Sequence, residues 1–193
     1  MRIGLYFGSF NPVHNGHLII ANFITQHTDL EQVWLVISPQ NPLKKQGNLL
    51  NEYHRLYLVQ SSIDEEPALK ASDIEFRLPK PSFTIDTLTY LEEKFPFHEF
   101  SVIMGSDSFQ NLTEWKNFRQ LLDKYAIYVY VRPGYPAENP HEKSRVSFLN
   151  APLLEISSTY IRKTIREGKS IRYLVPDKVK NEIEQNGYYK NQG

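Results

Sequence analysis

The chain has 193 residues, 22 basic and 22 acidic side chains, and no cysteine. That length fits one domain spanning 1–193 with a sizeable core. The balanced charge, with no basic block, argues against a nucleic-acid or anionic-membrane partner, and the missing thiols exclude disulfides, thiolate catalysis and thiolate zinc sites. No apolar run approaches membrane-spanning length, and Met1 leads into the first apolar run without a signal peptide. The expected location is therefore the cytoplasm, and a homo-oligomer stays open.

In chain order, Ile3 to Phe7 is an apolar strand ending in Gly8-Ser9. A polar turn through Asn11-Pro12 follows, and a helical pattern opens near Gly16. A strand, a loop and a helix start make a good phosphate holder, because first-turn amides lack partners and the helix dipole favours anions. His14 and His17 lie three apart on this junction and point the same way at helix spacing. Leu18, Ile20, Ala21, Phe23 and Ile24 line the helix, which ends at Thr28-Asp29. Val33 to Ile37 is continuously apolar, as a buried parallel strand requires. The loop after it carries Lys44 and Lys45, which are either solvated or within reach of a polyphosphate.

Glu52 to Ile63 reads as a second helix with Tyr53, Leu56, Leu58, Val59 and Ile63 inward. Arg55 is expected on its surface, with the phosphates as its other address. Leu69 to Phe76 contains a short alternating strand. Thr84 then N-caps a third helix, with Asp86 complementing its dipole and Leu88, Leu91 and Phe95 buried. Phe100 to Met104 is a strand ending in Gly105-Ser106-Asp107, where Asp107 is either a helix cap or an acceptor for ribose hydroxyls. Trp115 is by default a core or half-buried aromatic. Tyr125 to Val131 is a strand; 136–144 is a polar loop; Val146 to Leu149 and Leu153 to Ile156 are short extended pieces. Hydroxyls at Ser157, Ser158 and Thr159 open a helix with Arg162 one turn in, a second anion site of hydroxyls, amides and a fixed cation. That helix closes at Gly168. A last helix turns Val179 and Ile183 inward and ends at Gly187. Strands alternating with helices indicate an α/β fold with a mostly parallel sheet.

Gly8, Phe10, Pro12, His14, Gly16 and His17 resemble the signature of the nucleotidyltransferases with a His-x-Gly-His motif, which share a Rossmann-like α/β/α fold. Ile156-Ser157-Ser158-Thr159-Tyr160-Ile161-Arg162 resembles their C-terminal signature. Pro81 to Leu88, together with Trp115, is similar to the nicotinate-nucleotide adenylyltransferases. This resemblance covers nearly the whole chain. It implies transfer of AMP from ATP to nicotinate mononucleotide, giving deamido-NAD and pyrophosphate, with Mg2+ arriving on ATP.

The same resemblance assigns His14, His17, Lys44 and Arg162 to catalysis. Gly8, Ser9, Phe10, Gly16, Ser157, Ser158, Thr159, Arg162, Gly105 and Asp107 are assigned to ATP. Asn11, Thr84, Thr87 and Trp115 are assigned to the nicotinate nucleotide. Ser9, Asn11 and Leu43 depart from the usual family residues without removing a charged group. The histidine pair lacks a third protein ligand, so no protein-held metal is expected. Sister enzymes acting on nicotinamide mononucleotide or phosphopantetheine, a CTP-using enzyme and a non-catalytic nucleotide-binding module remain alternatives.

Overall fold

The structure, a computed structural model, describes residues 1–40, 49–141 and 143–190. Its strands are β1 (Arg2–Gly8), β2 (Gln32–Ile37), β3 (Leu69–Ser72), β4 (Glu99–Gly105), β5 (Ala126–Tyr130) and β6 (Val146–Leu149). They form one six-stranded sheet in the order β3-β2-β1-β4-β5-β6. Every neighbouring pair is parallel. The helices are α1 (Asn15–His27), α2 (Glu52–Ser62), α3 (Thr84–Lys94), α4 (Ser106–Gln110), α5 (Phe118–Lys124), α6 (Ser158–Arg166) and α7 (Asp177–Asn186).

Alternation along the strands divides the core between the two faces. Tyr6, Val33, Leu35, Ile37, Ile103 and Tyr130 pack with Ile20, Ala21 and Ile24 of α1, Leu58 and Val59 of α2, Ile161 of α6, and Val179 and Ile183 of α7. Ile3, Leu5, Trp34, Val36, Val102, Met104, Ile127 and Val129 pack with Ile85, Leu88 and Leu91 of α3 and with Leu121 and Leu122 of α5. Helices thus cover both faces, the only arrangement that buries a purely parallel sheet. The chain leaves β1 toward β2 and β3, then crosses back to β4. The carboxyl ends of β1 and β4 therefore open a crevice where the strand order reverses.

Several sequence expectations change. The short strand expected within Leu69 to Phe76 is β3, and beyond it residues 74–77 wind into a 3-10 helix, not foreseen, that buries Ile74 and Glu75. Phe83, not Thr84, is the N-cap of α3, leaving Thr84 as its first helical residue. Tyr53 is 64% exposed while Arg55 is only 1% exposed, so α2 turns its arginine inward. Leu153 to Ile156 forms no strand.

Candidate functional site

The loop from β1 to α1 forms the floor of the crevice. Phe10 takes a left-handed backbone (φ 43) and folds its ring over Gly8, where a Cβ would sit 2.8 Å from that ring. A left-handed conformation is costly for a bulky residue and persists only where the surroundings over-determine it. Here the Phe10 ring meets Tyr6 and His17 edge-on, with centroids 5.8 and 5.0 Å away. His14 and His17 come together: their rings stack at 3.6 Å, 23° from parallel. The His14 amide donates to Nδ1 of His17 at 3.3 Å, so a neutral His17 carries its hydrogen on Nε2. His14 is 5% exposed, and its Nδ1 is buried with no partner among the described residues. Burial, helped by the nearby Arg132 charge, lowers its pKa to about 4, so His14 is neutral at pH 7. Gly16 lets that ring lie flat on the helix start, since a Cβ there would stand 3.1 Å from His14 Nδ1.

The second anion motif closes on this loop from the far end of the chain. The Ser158 hydroxyl donates to the Pro12 carbonyl at 2.9 Å, 146 residues away in sequence. Arg162 donates to the Asn11 carbonyl at 2.7 Å and to the Thr159 hydroxyl at 3.2 Å. Ser157 caps α6 by accepting from the Tyr160 amide. Ser158 and Arg162 thus hold the loop that carries His14, with Ser157 and Thr159 beside them at the start of α6. Asn11, assigned by resemblance to the nicotinate nucleotide, has a structural contact of its own in this loop. It is 4% exposed, and its Oδ1 accepts from the Leu50 amide at 3.1 Å, so it braces the phosphate-type loop.

Arg55 is a site residue that the sequence reading misplaced. Its guanidinium donates to the carbonyls of Leu50 (2.8 Å), Ser9 (2.5 Å), Ser38 (2.9 Å) and Pro39 (3.5 Å). One buried cation thereby ties the loops after β1 and β2. Burial lowers its pKa, as it does for Arg162, and Tyr189 offsets part of the shift in both. The Tyr189 ring is 2% exposed, and its hydroxyl has no partner among the described residues.

At the end of β4, Asp107 accepts from Arg132 at 2.9 Å through Oδ2, while Oδ1 is buried without a partner among the described residues. Gly105 leaves room for this arrangement, since a Cβ there would lie 2.3 Å from that Oδ1 and 3.0 Å from Cδ of Arg132. The Ser106 hydroxyl accepts from the Arg132 amide at 2.9 Å, fixing the turn after β5 against β4. Arg132 is a site residue to which the sequence reading gave no role. Its signal was its place just past the carboxyl end of a strand.

The start of α3 and the Trp115 segment also meet. Lys116 pairs with Asp86 at 2.8 Å and lies over the Phe83 ring at 4.8 Å. Thr84 and Trp115 are each half-buried, and Trp115 packs on the core beside α3. Thr87 departs from expectation: it is fully buried, and its hydroxyl donates to Glu75 at 3.0 Å, so it faces the interior. Lys44 and Leu43 lie outside the described residues. Among the described residues no group of three His, Cys, Asp or Glu side chains could hold a metal ion, and no helix is long and apolar enough to cross a membrane.

The chain matches the cytidylyltransferase-like family over residues 5–164. A "Probable nicotinate-nucleotide adenylyltransferase" of Cytophaga hutchinsonii is 51% identical over 191 residues, which is 99% of this chain and 100% of the relative. A protein of the same name from Flavobacterium johnsoniae is 48% identical over 98% of this chain and 100% of its own length. Among solved structures, Plasmodium falciparum nicotinic acid mononucleotide adenylyltransferase complexed with NaAD superposes with a TM-score of 0.81 at 21% identity, covering 97% of each chain. At that identity the likeness concerns the fold.

Proposed function

We propose that this chain, which belongs to the nicotinate-nucleotide adenylyltransferase family, moves AMP from ATP to nicotinate mononucleotide. An oxygen of the mononucleotide phosphate attacks the α-phosphorus of ATP, the new P–O bond forms, and the bond to the bridging oxygen breaks as pyrophosphate leaves. The nucleophile is already an anion, so no general base is needed. The protein must bring two anions into line and stabilise charge developing on the α-phosphate and the leaving oxygen.

The observation that carries this reading is the closure of Ser158 and Arg162 onto the loop beside the stacked histidines. His17, with its Nε2 hydrogen, serves as a donor to the reacting phosphate. His14, neutral by burial, lies beside it without adding a charge. Arg162 serves the β- and γ-phosphates with the donors its two protein bonds leave, and Lys44 is assigned to the same phosphates. Magnesium enters as the ATP complex, held by phosphate oxygens and water. Asp107 is assigned to the ribose hydroxyls. Thr84, the first-turn amides of α3 and the Trp115 face receive the pyridine carboxylate and ring. A cytoplasmic location and a single nucleotidyltransferase domain are part of this reading.

Pyrophosphate release measured with ATP or CTP and a panel of phosphate acceptors tests it. The expected result is ATP dependence and a kcat/KM at least ~10-fold higher for nicotinate mononucleotide than for its amide, since a donor-lined pocket leaves the amide NH2 unpaired. Equal kcat/KM for acid and amide would overturn the substrate. No pyrophosphate with any acceptor would overturn the transfer.

A further inference from the structure

Beneath the start of α3 lies a buried carboxylate that the reaction above does not use. Glu75 is 2% exposed. Its Oε2 accepts from the Ser82 hydroxyl at 2.6 Å and its Oε1 from the Thr87 hydroxyl at 3.0 Å, and the Ser38 hydroxyl lies near enough to favour its ionised form. Burial raises its pKa, and the influences that offset this are hydroxyls alone. Its folded-state pKa thus lies above the unfolded one. The ionised form therefore costs stability as pH rises through the carboxylate range, and an ion with no cationic partner is an expensive device for fold stability.

Its three partners are informative. Ser38 follows β2, and its amide donates to the Gly8 carbonyl at 2.9 Å. Ser82 precedes the N-cap of α3, and Thr87 lies in the helix's first turns, with its amide bonded to the Phe83 carbonyl at 3.1 Å. One carboxylate thereby fixes the loop from Ser82 to Thr84 and ties it to the end of β2. Arg55 holds that same Ser38, by its carbonyl, against Ser9. The chain of contacts runs unbroken from the α3 start to the β1–α1 loop.

We propose that Glu75 is a positioning residue for the acceptor, setting the height and angle of the α3 start so that Thr84 and the first-turn amides meet the pyridine carboxylate. The proposal rests on the acceptor assignment above. A carboxylate accepts from these hydroxyls through both of its oxygens. An amide of the same shape has one acceptor oxygen and an NH2, so one hydroxyl must reverse from donor to acceptor, which shifts the segment that carries it.

Steady-state kinetics and melting curves of Glu75→Gln and Ser82→Ala test this, with hydrogen exchange of the unliganded proteins as a second readout. Glu75→Gln should raise the KM for nicotinate mononucleotide by about 10-fold while the KM for ATP moves less than ~2-fold, and its Tm should not fall. Ser82→Ala should act in the same direction by about 3-fold. Amides of residues 82–87 should exchange faster in Glu75→Gln, with those of α6 unchanged. A role in packing alone would instead lower Tm and shift both KM values together, and that outcome overturns the proposal, as does an unchanged acceptor KM. If the parent protein transfers nothing to this acceptor, the substrate reading fails; unchanged exchange at 82–87 then separately refutes Glu75's positioning role.

Discussion

The two halves of the crevice are built differently. On the histidine side, the β1–α1 loop is held through its own main chain: Ser9 and Asn11 give their carbonyls to buried Arg55 and to Arg162, and Pro12 gives its carbonyl to Ser158. On the α3 side, segments are joined through side chains, namely the hydroxyls on Glu75 and the ion pair of Lys116 with Asp86. That pair is 44% and 46% exposed and is worth about 0–1 kcal/mol at most. Main-chain clamping fixes a loop whatever its side chains are, which suits groups that must meet charge at the reacting phosphorus. Side-chain bracing leaves a surface that single substitutions can retune, which suits discrimination between acceptors.

Removing Arg55 challenges this contrast most severely. Arg55→Met leaves buried carbonyls of Ser9, Ser38 and Leu50 without their donor and should cost about 3–5 kcal/mol of unfolding free energy in a denaturant titration. A loss below ~1 kcal/mol would mean that the main-chain clamp is dispensable.

Acidification probes the same half. The unfolded chain takes up a proton on His14 near pH 6.5, whereas the folded chain resists until about 4. The stability from this residue is complete above pH 6.5 and declines as pH falls toward 4, by roughly 3 kcal/mol. Unfolding free energies of parent and His14→Gln between pH 7 and pH 4 should therefore diverge, the parent falling more steeply. Parallel curves would show that burial does not hold His14 neutral.

His17→Ala removes the Nε2 donor while leaving the loop's arginine clamps in place. Its kcat should drop by at least ~100-fold, about 2.7 kcal/mol of transition-state stabilisation, with a small change in ATP binding. Undiminished turnover with an intact fold excludes the role.

Trp115→Ala belongs to the α3 half and should give the smallest change. Loss of the stacking face should raise the acceptor KM about 2- to 10-fold with the KM for ATP nearly constant. A fall in Tm accompanied by equal shifts for both substrates would make Trp115 a core residue.

The same contrast explains what the sequence disclosed. The histidine loop and the Ser157–Arg162 helix start are contiguous motifs at element junctions, so local pattern sufficed to find them. The buried strands were legible because β2 is apolar on both faces. Arg55 was misread because charge was taken to mean surface, although it lies three and four residues before the buried Leu58 and Val59. Its acceptors are carbonyls of three separate segments, which leave no side-chain pattern. Glu75 was hidden inside what read as an alternating strand, and its winding into a 3-10 turn is set by tertiary contacts with Ser82 and Thr87. Thr87 was assigned to the ligand by resemblance, which does not say what a buried hydroxyl faces.

The lock on the β1–α1 loop also has a timetable. Its carbonyls at Asn11 and Pro12 wait for donors 151 and 146 residues downstream. At a synthesis rate of about 5–20 residues per second, roughly 7–30 s pass before those donors emerge. During that interval the left-handed turn at Phe10 has none of its C-terminal supports, and closing so long a loop must follow the pairing of the central strands. Anion-binding competence is therefore among the last properties the growing chain acquires, well after much of the sheet that carries it.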